Sequence, residues 1–88
     1  MIAEIKWHDG KRFIPDIGVK YCPIISFSDA ESCSWSAEII IIKNDIENRK
    51  SIADVNYLFP NAPIKNISKG NTFELIEGNT IVAYGVFI

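Results

Sequence analysis

His8 and Asp9 are neighbours near the start of the chain, and an imidazole beside a carboxylate is the pairing from which a general base is built. Consecutive residues at a strand end point apart, however. None of the serines at 26, 28, 32, 34 and 36 lies in a nucleophile-elbow sequence, so His8 reads as a surface residue. Asp29, Glu31 and Glu38 would do paired acid and base work only if two of them met in a cleft. They read as solvated charges, the ordinary state of an acidic side chain. Cys22, Cys33 and the single histidine do not supply the four ligands of a zinc site. The two cysteines are expected as free thiols in a reducing cytosol, with a disulfide as the alternative if strands bring them together. No glycine-rich loop has the spacing that cradles phosphate. The expectation is a protein that is not an enzyme and has no cofactor, metal or nucleotide.

Charge narrows the partners. The net charge is −2 and the sequence pI is near 5.2, with the densest basic groupings only Lys11-Arg12 and Arg49-Lys50. A protein that neutralises several phosphates needs a contiguous positive stripe, which these pairs do not form. The longest aliphatic run, Ile39 to Ile42, is bounded by Glu38 and Lys43, and residues 1 to 6 lack the apolar segment of a signal peptide. No membrane span and a cytoplasmic location are expected.

The elements that must position these residues are strands. The chain has 88 residues, 17 of them isoleucine, against 6 alanines, 2 leucines and 1 methionine as apolar helix formers. Branching at Cβ stiffens χ1 and suits a pleated surface. Six strands are predicted: Ile2 to Trp7, Lys20 to Phe27, Ser34 to Lys43, Ile52 to Phe59, Thr72 to Ile76 and Thr80 to Ile88. Pro23 marks an edge or bulge in the second, and the third places Trp35, Ala37, Ile39 and Ile41 on one face. Between Asn44 and Ser51 at most one helical turn is expected, capped by Asp45. Six antiparallel strands in a single short domain spanning residues 1 to 88 predict an all-β, six-stranded closed barrel, which removes exposed edges.

The last sixteen residues carry a more specific likeness. Phe73, the Glu77-Gly78 turn, then Val82, Ala83 and Gly85 resemble the closing hairpin of the C-terminal β-barrel of elongation factor Tu. Gly10-Lys11-Arg12 with Pro15 is similar to that family's Gly-Gly-Arg motif followed by Pro, and Tyr21-Cys22-Pro23 to its Tyr-Arg-Pro strand. The resemblance covers nearly the whole chain and implies a stand-alone copy of the barrel, without the domain that binds GTP. It also implies a contact with the T-stem of tRNA, but Cys22 and Thr80 stand where the family has arginines. Lys11 and Arg12 are left as the candidate RNA contacts, and tRNA is a disfavoured partner.

Apolar residues exceed what one buried face per strand requires. Ile40 and Ile42 oppose Ile39 and Ile41, and both faces of the last strand are apolar. Ile40, Ile42, Val82, Tyr84 and Val86, with Ile24, Leu58 and Ile76 near them, are the expected outer patch for a protein partner or self-association. With the opposite register in the last strand, Ile81, Ala83 and Phe87 take the outer role. The resulting expectation is a non-catalytic protein-binding module, with an inhibitor or immunity protein as one form. A tRNA- or RNA-binding translation accessory is the alternative.

Overall fold

A computed structural model describes residues 1–27 and 34–88. The predicted loop from Ser28 to Cys33, with Asp29 and Glu31, lies outside the described residues. Seven strand segments form: β1 (Ile2–Trp7), β2 (Lys20–Tyr21), β3 (Ile24–Phe27), β4 (Trp35–Asp45), β5 (Lys50–Tyr57), β6 (Thr72–Glu77) and β7 (Thr80–Phe87). All pairings are antiparallel, and the ring runs β4-β3-β6-β7-β1-β5 and back to β4. This is the predicted closed six-stranded barrel.

The predicted second strand appears as β2 and β3, which share one register on β4: Tyr21 pairs with Ile39, and Ile24 with Ser36. The break is Cys22-Pro23. Pro23 donates no N–H, and its carbonyl accepts the Ala37 N–H at 2.9 Å, so the ladder to β4 passes this residue through the carbonyl alone. The β6–β7 turn places Gly78 at a φ of 61°, a backbone shape that favours glycine at the first position of a two-residue hairpin.

Inward residues fill the barrel. Trp7, Phe87, Ile5, Ile25, Ile39, Ile41, Leu75 and Val55 are fully buried. At the centre the Phe73 and Phe87 rings lie 5.0 Å apart, with Phe27 at 6.3 Å from Phe73. Phe73 also lies directly opposite Gly85 on β7, and its ring occupies the space that a side chain at Gly85 would need.

Two bulges reverse the alternation. In β4 Ile41 pairs with Ala53 and Lys43 with Ile52, so Ile42 is the extra residue. Past it, inward positions change from odd to even numbers, and Asn44 rather than Lys43 faces the buried Ser51. In β7 Leu75 pairs with Ala83 and Ile76 with Ile81, leaving Val82 as the extra residue, and Val82 and Ala83 are both buried.

The end of the barrel nearest the Gly78 turn is closed by a hydrogen-bonded chain. Trp7 Nε1 donates to Ser51 Oγ at 2.7 Å, Ser51 Oγ donates to Asn44 Oδ1, and Asn44 Nδ2 donates to the Pro15 carbonyl at 3.0 Å. This fixes the long β1–β2 connection across the mouth. Between Asp45 and Lys50 no helical turn forms, within the expected limit of at most one. Asp45 instead caps a tight turn by accepting the Asn48 N–H, and Arg49 enters the left-handed region at a φ of 55°. The helical turn found is a 3-10 turn at Ile64–Asn66, held by Tyr57 OH to the Pro63 carbonyl and by Asn71 Nδ2 to the Asn66 carbonyl.

Candidate functional sites on the barrel surface

Lys11 reaches back from the β1–β2 connection to the end of β6. Its Nζ lies 2.6 Å from Glu77 Oε2 and 5.2 Å from the centroid of the Tyr21 ring, and the Tyr21 hydroxyl donates to the same carboxylate oxygen. Burial, then the hydrogen bond and charge of Glu77, push Tyr21 well above the usual phenol range. For Glu77, burial acts upward, but the hydrogen bonds from Lys11 and Tyr21 and the Lys11 charge outweigh it and hold the carboxyl below its ordinary value. The Lys11 side chain is only 14% exposed, so its charge is largely committed to Glu77. Arg12 is exposed beside it, on a shallow depression of about 350 Å³ shared with Phe13 and Thr80. One open cation is poor material for a phosphate-binding stripe.

Arg49 is a structural clamp. Its Nη2 donates to the carbonyls of His8 at 2.7 Å and Lys11 at 2.5 Å, closing the turn after β1. His8 is exposed and its Nδ1 accepts the Gly10 N–H at 3.3 Å, while the Asp9 carboxylate pairs with Arg49 Nε at 3.8 Å. The His8-Asp9 pairing therefore does not form. Glu38 is partnered by Lys20 at 3.9 Å and Cys22 is exposed, whereas Cys33 lies outside the described residues. Among the described residues no group of three His, Cys, Asp or Glu side chains converges as a metal site, and no helix is long and apolar enough to cross a membrane.

The expected outer patch divides. Ile42 is 48% exposed and Ile40 half-buried on β4; Tyr84 is exposed and Val86 half-buried on β7. β4 and β7 are three strands apart in a ring of six, so these pairs lie on opposite walls and cannot form one contact surface. Val82 is corrected outright: at 5% exposure it belongs to the core, because the bulge turns it inward beside Ala83. The alternative register fails as well, since Ala83 and Phe87 are buried and only Ile81 faces outward. Ile24, Ile76 and Ile81 are cross-strand partners and form a half-buried row on β3, β6 and β7.

Sequence reading missed what the β4 wall gains from the β1–β2 connection. The Gly18 N–H bonds to the Ile41 carbonyl at 2.9 Å and Lys20 pairs with Ile40, so residues 17–20 run beside residues 40–42. Ile17, 62% exposed, and Val19, also exposed, thereby lie on the segment that runs alongside Ile40 and Ile42, with Lys20, Glu38 and Lys43 on the same two segments. These residues lie more than twenty positions apart in the chain, in a stretch without strand periodicity.

On the far wall a groove of about 430 Å³ crosses the outer surface of β7, lined by Glu4, Lys6, Ser26, Thr72, Phe73, Glu74, Tyr84, Gly85 and Val86. Alternation along the strands marks Glu4, Lys6 and Tyr84 as outward. Their meeting depends on β1 and β7 being neighbours, which alternation does not state. Compared with models of known families, with curated proteins and with solved structures, the chain matches none of them.

Proposed function

We propose that the chain is a non-catalytic protein-binding module built on a barrel of the elongation factor Tu C-terminal type, and that it binds its partner through the outer wall of β4. The observation that carries this reading is the gathering of Ile17, Val19, Ile40 and Ile42 on one wall by backbone hydrogen bonds. Each large aliphatic side chain moved from water into a contact contributes up to about 1.5 to 3 kcal/mol, so four adjacent ones make a contact worth covering. A rim of Lys20, Glu38 and Lys43 around an apolar centre is the arrangement of a protein interface. An inhibitor or immunity protein is one form such a module takes. Against the RNA reading stands the pairing of Lys11 with Glu77, which leaves Arg12 as the open charge of that pair.

The test begins with co-purification from the native host and reconstitution with the protein recovered. Titration calorimetry should then show binding that persists as salt rises from low to moderate. Ile42→Lys and Ile17→Lys should each weaken it about tenfold or more while the melting temperature stays within a few degrees. Light scattering applies the same variants to self-association. Affinity unchanged by both substitutions, or tight and steeply salt-dependent gel shifts with bulk tRNA, would overturn the proposal.

A further inference from the structure

The groove over Gly85 has two rails, each a row of cross-strand partners. One rail is Glu74 on β6, Tyr84 on β7 and Lys6 on β1; the other is Thr72, Val86 and Glu4 on the same three strands. Directly opposed residues in antiparallel strands hold their Cβ atoms about 4.5 to 5.5 Å apart. Glu74 and Tyr84 therefore start next to each other on the outer face, and Glu4 stands on the other rail. Between the rails Phe73 and Gly85 face the core, so the floor of the groove is free of outward side chains there.

The charge in this groove is unbalanced. Lys6 is its basic lining residue, and the Lys6 ammonium is held at 2.6 Å by the Asn48 carbonyl in the β4–β5 turn. Glu4 has only a long 4.0 Å contact to Lys50. Glu74 is half-buried and makes no hydrogen bond or ion pair among the described residues. A partly desolvated carboxylate without a donor is costly, and a cation arriving beside it removes that cost.

We propose that this groove binds an arginine side chain of a partner protein, with the guanidinium laid on the Tyr84 ring and hydrogen-bonded to Glu74. Arginine fits better than lysine for three reasons: its planar group stacks on an aromatic face, its paired N–H donors match a carboxylate, and it is more weakly hydrated. The volume of about 430 Å³ is ample for one such side chain and its flanking backbone. The groove lies on the wall opposite Ile40 and Ile42, so this site stands or falls separately from the apolar interface.

The probe is the peptide N-acetyl-Gly-Arg-Gly-amide, titrated into the 15N-labelled full chain, with the citrulline analogue as an uncharged isostere. Saturable amide shifts are expected at Glu74, Tyr84 and Gly85, with the citrulline peptide about tenfold weaker. Glu74→Gln, which keeps the shape and removes the charge, should weaken the arginine peptide about tenfold, and Tyr84→Leu about threefold. Ile42→Lys should leave the titration unchanged. Equal binding of the citrulline peptide, an unchanged affinity in Glu74→Gln, or shifts scattered over the surface without saturation would each overturn the site.

Discussion

Gly85→Ala sets two physical effects against each other. Gly85 lies within β7 and its φ is not in the left-handed region, so the backbone accepts alanine there. On unfolded-state entropy alone the change would stabilise by about 0.4 to 1 kcal/mol. The structure says otherwise. A Cβ at this position would lie 2.1 Å from Phe73 Cζ and 2.4 Å from Cε1, well inside contact distance. The ring cannot retreat cheaply, because it is 3% exposed and packed on Phe87 at 5.0 Å and Phe27 at 6.3 Å. Overpacking of this kind costs about 1 to 3 kcal/mol, which exceeds the entropic gain. For a domain of this size a net loss of about 2 kcal/mol lowers Tm by roughly 8 to 16 °C. Thermal melts followed by circular dichroism measure it, with Phe73→Leu and the double variant completing a cycle. The double variant should be more stable than the two single losses summed, since the smaller side chain makes room for the methyl group. A Tm for Gly85→Ala at or above the parent, or strict additivity, would refute the steric reasoning.

Ser51→Ala removes the acceptor of the buried Trp7 indole N–H and should cost about 1 to 3 kcal/mol in urea unfolding. Arg49→Ala removes the clamp on the His8 and Lys11 carbonyls, so the Lys11 amide, which donates to His8 O, should exchange faster with solvent while the β5 amides stay protected. Glu77 has its folded pKa below the unfolded value, so it binds fewer protons when folded. Its contribution is present above the usual glutamate range and is lost as pH falls through the folded value. Glu77→Gln should therefore narrow the difference in Tm between pH 7 and pH 3; an unchanged difference would show that the Lys11–Glu77–Tyr21 contact adds nothing to stability.

Much of the barrel was legible along the chain. The Ile-rich alternation from Ile2 to Trp7 and from Trp35 to Ile41 states which residues face inward, because a strand has a period of two whatever its neighbours are. The six predicted runs all contain strands. Pro23 marks a real break, and Glu77 and Gly78 mark a real turn, since the missing donor and the positive φ are properties of single residues. Closure into a barrel follows from the number of strands in so short a chain, since an open sheet would leave exposed edges.

What tertiary structure decided is whatever depends on a second strand. Val82 alternates in sequence as an outward residue, yet it is buried, because a bulge exists only relative to the partner that it fails to pair with. Lys11 reads as an open cation until Glu77 arrives from the far end of the chain, with Tyr21 beside it. Ile40, Ile42, Tyr84 and Val86 were each rightly judged outward, but one surface requires adjacent strands, and the ring sets β4 and β7 half a turn apart. The same ring brings Glu74, Tyr84 and Lys6 into one row and Ile17 to the side of Ile42. The facing of a side chain is local to its own strand; its company is set by pairing between segments tens of residues apart, and this is where both candidate sites of this protein are made.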